Sequence, residues 1–344
     1  RRCLVRVSCS MLLLGSLACC VAILISLDAA SCAWLVAQLT HSVAPTRLAM
    51  AAWLEDWAWR QWEDRGAAHS IPMPVAEVLA SASSADLGLP FIVRGLLNGS
   101  AALANGTSWL RALPVGAVVV PYYSNASSGA LWPDAEAPIA EVVDAIEAGG
   151  PQKLGTELIF RQHPELLETL GLTPPLARLF GRAPFARWRI GSLLTVPLFL
   201  GTGAADGATR VRTDFHSEPI GSATLQLAGR KRWTLVPGDQ SFRLRPSLSA
   251  DGRAFFATRR AHGADGVSAL AAAGATHYEV EQLPGDVLWV PTWTWHRVDY
   301  VPNVTAFSVS LFHVRPQQLA TQQPLFTAAV VPALLKELVG WNTQ

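Results

Sequence analysis

The sequence predicts a mainly β domain, a barrel or sandwich, with α-helices on its flanks. Past residue 208, short alternating or apolar stretches are separated by glycine and proline turns, which is how an all-β barrel or sandwich reads. On either side of that region, Pro138–Ala148 and Pro324–Trp341 space their apolar residues as helices do. No internal repeat and no biased tract beyond alanine is present, which excludes a solenoid or low-complexity assembly.

Taken in order, the chain opens on Arg1 rather than methionine, as a fragment or processed form would. Arg1, Arg2 and Arg6 precede an apolar run from Met11 to Leu27, closed by Asp28 and followed by further apolar residues to Leu39. A basic flank before such a run reads as a signal peptide or signal-anchor, and its 17 residues are near the lower limit for crossing ~30 Å of hydrocarbon. No clean small-x-small cleavage site follows, which favours a retained anchor with the arginines cytoplasmic and the rest lumenal. All 5 cysteines lie in the first 32 residues, so the remaining chain holds neither a disulfide nor a thiolate metal site. Four N-glycosylation sequons, at Asn98, Asn105, Asn125 and Asn303, fit a lumenal glycoprotein. With 27 basic against 26 acidic residues, no nucleic-acid partner is implied.

Met50–Arg65 reads as a helix with Trp53 and Trp57 on one face, either packed on its own domain or forming a stem or homodimer contact. Leu89–Gly95 and Val115–Tyr123 read as strands with Trp109 on a helix between them, leading to a turn at Ser124–Gly129. The helix Pro138–Ala148 stops at Gly149–Gly150. Leu158–Phe160 is strand-like, Pro164–Leu170 is a helix ending at Gly171, and Trp188–Leu200 is a strand leading to a Gly/Ala loop at 201–208. Ser222–Ala228 alternates like a strand, and Gly229 turns it into Lys231–Val236. Asp251–Ala275 is irregular and reads as an insertion. Pro284–Asp286 is a turn, Val287–Val290 a buried strand and Ala306–Val314 the closing strand. Pro324–Trp341 forms one or two helices interrupted at Pro332.

Chemistry concentrates in two stretches. The first, Thr213–Trp233, places His216 and Glu218 two apart, so that on a strand both face one point. It then carries Lys231, one of only three lysines in the chain, with Lys153 and Lys336. A lysine aimed into a barrel needs an anion beside it, because an unpaired buried ammonium is costly. The second stretch, Pro284–His296, ends in another histidine at the close of an apolar strand pattern. Two histidines and one carboxylate with open positions suit non-haem Fe(II) and oxygen chemistry.

Together these stretches resemble the JmjC/cupin-like (cupin 8) branch of the Fe(II)- and 2-oxoglutarate-dependent oxygenases. The shared features are His-x-Glu at His216 and Glu218, Lys231 in a Gly-x-Lys-Arg-Trp context, and His296 after Pro-Gly-Asp and a downstream proline. The resemblance is firm over residues 192–315 and weaker over 79–192. It implies a double-stranded β-helix, the cupin/JmjC jelly-roll barrel. It implies His216, Glu218 and His296 as iron ligands and catalytic centre, with Lys231 and Thr213 binding 2-oxoglutarate. O2 is the other co-reactant, and a polypeptide side chain is the expected substrate.

The expected organisation is a cytoplasmic flank and anchor over 1–44, a Trp-rich stem over 45–78, the cupin-like domain over 79–320 and a helical segment over 321–344. This describes a single-pass type II protein of the endoplasmic reticulum or Golgi, or a secreted one if the apolar segment is cleaved. Three positions depart from the family pattern. Ser222 and Ser310 stand where asparagines are common, and an upstream strand tyrosine has no match beyond Tyr122 or Tyr123. A non-catalytic cupin-like module is the alternative reading, and a metal-dependent sugar isomerase a third.

Overall fold

A computed structural model of the chain describes residues 29–43, 53–54, 57, 70–72, 88–125, 133–174, 193–203, 212–249, 251–257, 270 and 275–338. The apolar run Met11–Leu27, most of the Trp-rich stretch and the loop at 204–208 lie outside the described residues. The strands in chain order are β1 (Ser70–Pro72), β2 (Phe91–Val93), β3 (Val119–Tyr123), β4 (Ala135–Pro138), β5 (Lys153–Thr156), β6 (Leu193–Thr195), β7 (Leu198–Thr202) and β8 (Arg212–Ser217). They continue with β9 (Gly221–Ala228), β10 (Lys231–Val236), β11 (Pro246–Leu248), β12 (Phe255–Ala257), β13 (His277–Gln282), β14 (Val287–Val290), β15 (Trp295–Tyr300) and β16 (Thr305–His313).

These strands form two sheets. A 7-stranded sheet runs β1-β13-β10-β15-β8-β12-β11, and a 9-stranded sheet runs β2-β14-β9-β16-β7-β5-β3-β4 with β6 beside β16. From β7 onward the chain passes repeatedly from one sheet to the other, so that β7, β9, β14 and β16 oppose β8, β10, β13 and β15. This is the expected jelly-roll barrel. Nearly all its pairings are antiparallel, the exceptions being β1 with β13 and an isolated bridge between Gly203 and Pro302. Gly229 makes the β9–β10 turn with φ +60, and a Cβ there would come within 2.0 Å of the Thr305 carbonyl oxygen. Only glycine can serve at that position.

The core outside the 9-stranded sheet is built by the helix Ile139–Glu147, which buries Ile139, Val142, Val143 and Ile146 at helical spacing. Two expectations fail nearby. Leu158–Phe160 is not a strand but the start of the helix Leu158–Gln162, with Phe160 against Trp109 at 5.9 Å. The strand is the preceding β5, and the Thr156 hydroxyl accepts the Leu158 N–H at 3.2 Å to turn the chain out of it. A three-residue apolar run carries no period with which to choose. Val115–Ala117 is likewise a 3-10 turn ahead of β3 rather than strand.

A second core forms on the 7-stranded sheet. Trp293 and Trp295 point away from the barrel into an aromatic group with Trp34, Phe242, Phe255 and Phe326. Phe326 lies at its centre, stacked on Phe255 at 4.1 Å and on Trp34 at 5.6 Å. It comes from the helix Pro324–Leu338, a single helix that carries Pro332 within it. Trp34 comes from the helix Ala29–Val43, a stretch the sequence reading grouped with the anchor; here its indole N–H donates to the Pro246 carbonyl at 3.4 Å. Trp57 packs on the same group, whereas Trp53 is exposed. No helix among the described residues is long and apolar enough to cross a membrane. Phe326→Ala is expected to destabilise the domain by ~3–5 kcal/mol, the usual range for a fully buried phenylalanine. Urea unfolding checks this.

Candidate metal centre and anion pocket

β8 and β15 lie side by side with His216 opposite His296, and the register then slips so that Val298 faces Thr213. That irregularity re-aims the strand at the site. His296 is therefore not at the close of the apolar strand β14 but near the start of the next one, after the turn Pro291–Thr294. In that turn Trp293 adopts φ +62, a strained conformation for a bulky residue. Its indole N–H donates to the Leu319 carbonyl and the Thr327 hydroxyl, and its backbone N–H donates to the Glu218 carbonyl at 3.0 Å. The aromatic core thus holds the turns that carry Glu218 and His296 against each other.

His216, Glu218 and His296 converge so that one ligand atom from each lies within 4.8 Å of the others. The imidazole rings are 4.1 Å apart. Each Nδ1 faces a carbonyl of its own strand, Asp214 at 2.8 Å for His216 and Thr294 at 3.1 Å for His296. A carbonyl only accepts, so Nδ1 carries the proton and each Nε2 is left with its lone pair. Burial pushes both imidazoles down to about 4, so they are neutral at pH 7, the form that binds metal. Burial also raises the Glu218 carboxyl, against the attraction of His296. Two imidazole nitrogens and a carboxylate that converge on one point are a donor set that fits a divalent first-row metal. Phe256 stacks on His216 from β12, a strand inside the stretch the sequence presented as an irregular insertion.

The same three residues line a cavity of about 390 Å³ between the two sheets. Its outer part reaches Glu157, whose side chain is 46% exposed. Its inner part reaches Lys231, which is 2% exposed. Lys231 points into the barrel as expected; its ammonium donates to the Ser308 hydroxyl at 2.6 Å and sits over the Tyr300 ring at 4.9 Å. Burial, with the Lys153 charge adding to it, lowers its pKa to about 7. Thr213 lines the same cavity and accepts a hydrogen bond from the Lys153 ammonium at 3.0 Å. Thus all five sequence-predicted residues face one cavity.

Ser222 and Ser310 also line it, and the Ser310 hydroxyl is engaged with Thr224 at 2.8 Å. Of the suggested tyrosines, Tyr122 packs on the core and Tyr123 lies under the Lys153 ammonium at 5.4 Å. Tyr300 is the tyrosine of the cavity. It follows His296 by four residues on one strand, so the period of two was the signal that could have found it. The Pro284–Asp286 turn, by contrast, is structural. Its buried Asp286 carboxylate accepts from Arg94 and from the N–H groups of Gly95 and Leu283, clasping the turn to the chain that follows β2. No curated protein matches this chain. A family model described as a cupin-like domain matches residues 134–317, more than half the chain, and with the jelly-roll barrel beneath it the chain belongs to the cupin-like family.

Proposed function

We propose that the chain is an Fe(II)- and 2-oxoglutarate-dependent dioxygenase that hydroxylates a protein side chain in the secretory pathway. One observation carries this reading: a His/Glu/His cluster and a buried ammonium that has no carboxylate partner among the described residues share one cavity. A metal site alone would serve many cupins. A metal site with an anion receptor built into the same barrel suits a cosubstrate that is a dicarboxylate. His216, Glu218 and His296 would hold the iron, and Lys231 with Thr213 would bind the far carboxylate. When bound, iron would activate O2, and the oxidative decarboxylation of 2-oxoglutarate to succinate and CO2 would supply two electrons, so that one oxygen atom enters succinate and the other a substrate C–H bond.

The protein's own part is to bind, orient and exclude water. The carbonyls of Asp214 and Thr294 fix the imidazole tautomers, and Phe256 covers one face of His216. Phe199, Tyr300 and Trp233 wall the inner cavity with aromatic rings, and a surround of low polarity strengthens an ammonium–carboxylate attraction. The choice of a polypeptide substrate rests on the family resemblance. The test is to incubate the iron-loaded chain with 2-oxoglutarate in air and follow succinate. Succinate release that needs both iron and O2 is the expected result. Binding of 2-oxoglutarate with no succinate, even with a pool of secretory-pathway proteins added, would favour the non-catalytic module.

The compartment belongs to the same proposal. All four sequon asparagines, Asn98, Asn105, Asn125 and Asn303, are exposed on the folded domain and open to a glycosyl transferase. In eukaryotic cells the chain is expected to shift on gels after endoglycosidase treatment and to stay with membranes after a carbonate wash. An unshifted chain would refute a lumenal domain, and a shifted but soluble one would mean that the apolar segment is cleaved.

A further inference from the structure

Lys153 had no role in the sequence reading, yet it opens β5 in register with Gly201 of β7 and Tyr123 of β3. The alternation of β5 puts it on the face of Gly155, which lines the cavity. Opposite it, Gly201 leaves room that a side chain would fill, since a Cβ there would come within 3.0 Å of the Tyr300 ring. The Lys153 ammonium donates to Thr213 Oγ1 at 3.0 Å. Asp214 acts on it at longer range, but that carboxylate is taken by Arg212 at 2.5 Å. Among the described residues, neither Lys153 nor Lys231 has a carboxylate within 4.0 Å. Two largely buried ammoniums therefore donate to hydroxyls that line one cavity, Lys153 to that of Thr213 and Lys231 to that of Ser308, and burial lowers both, Lys153 to about 8 and Lys231 to about 7.

Thr213 has one hydroxyl hydrogen. With Lys153 donating to its oxygen, that hydrogen is left to be given to an acceptor. We propose that Lys153 is a second cationic recognition residue of the cavity: it turns the Thr213 hydroxyl into a donor and shares with Lys231 the charge of a bound dicarboxylate. This rests on the cosubstrate reading above and adds selectivity to it. One ammonium suffices to hold a carboxylate, whereas two uncompensated ones discriminate strongly against a ligand that lacks the far carboxylate.

The test titrates the Mn(II)-loaded full chain with three probes: 2-oxoglutarate, 2-oxovalerate, which has the same carbon chain without the far carboxylate, and succinate. Lys153→Met, and Lys153→Gln as a second variant, are compared with the unaltered chain at equal metal content. We expect 2-oxoglutarate to bind about tenfold or more weaker in both variants, with 2-oxovalerate changed by less than about threefold, and Lys153→Arg to recover part of the loss. Unchanged 2-oxoglutarate affinity, or equal losses for both oxoacids, would overturn the role of Lys153 and leave the cosubstrate reading standing. Binding of succinate but not 2-oxoglutarate by the unaltered chain, lost in Lys153→Met, would overturn the cosubstrate reading and keep the second cation. No anion bound at all would overturn both.

Discussion

His216→Ala and His296→Ala are each expected to abolish metal binding by the full chain, measured by elemental analysis after loading with Fe(II), Mn(II) or Zn(II). Each removal leaves a bidentate remnant of imidazole and carboxylate. Loss of a mere outer partner of a ligand weakens such sites by about 10–100-fold, so loss of a ligand must exceed that. The fold should survive, because the aromatic packing that fixes the β14–β15 turn lies on the other side of the sheet, around Trp293 and Phe326. Acid acts on the metal-free fold as well. Both imidazoles are held at about 4 in the folded chain against an ordinary value of about 6.5. The folded state binds fewer protons than the unfolded one between these values, so the metal-free chain is fully stable above about 6.5 and loses stability as pH falls towards 4. Undiminished metal in both alanine variants would refute the cluster as the site.

The cluster was legible because its spacing is covalent. His216 and Glu218 had to share a face once residues 213–218 were read as extended, and the period of two carries that without tertiary knowledge. His296 was identified through its motif, but its placement was misjudged. Its partner is set by the β8–β15 register and a slip in that register, and nothing local reports a register. Phe256 and the strand it belongs to were missed for the same reason: Phe255–Ala257 lies in an alanine- and glycine-rich stretch and becomes strand by pairing with β11 on one side and β8 on the other. Leu158–Phe160 was misread because three apolar residues fit helix and strand alike, and the Thr156 side chain decided between them.

Lys153 shows a different limit. Its rarity was visible, but no periodicity links residue 153 to residue 213. Only the pairing of β5 with β7 and the closure of the barrel bring them together. The Trp-rich region shows a third limit. A stack of tryptophans reads as one face, yet Trp57 is packed on the aromatic core and Trp53 is 59% exposed, because the surface available to them belongs to distant elements.

Lys231→Met is expected to weaken 2-oxoglutarate binding to the metal-loaded chain by between about tenfold and several hundredfold while leaving metal content unchanged. A charge-assisted hydrogen bond to a carboxylate contributes ~1.5–3 kcal/mol, and leaving the carboxylate buried beside an apolar side chain adds to the loss, at ~1.4 kcal/mol per decade. Methionine keeps the volume between Phe199 and Tyr300, so a loss of affinity reports the charge rather than a cavity. Lys231→Arg should recover part of it, because the longer planar guanidinium aims its donors elsewhere than at the place the Ser308 hydroxyl now marks. The pH profile gives an independent check. The ammonium is the binding form, and in the empty site burial holds its pKa at about 7. Below 7 it is already charged and affinity should be flat. Above 7 a proton must be taken up on binding, so affinity should fall by up to about tenfold per pH unit. In Lys231→Met the fall should begin near 8, where Lys153 titrates, rather than near 7. Calorimetry in buffers of different ionisation enthalpy reads the proton uptake directly. A binding constant independent of pH from 6 to 9 in the unaltered chain, or one unchanged by Lys231→Met, would refute the ammonium as the anion's partner.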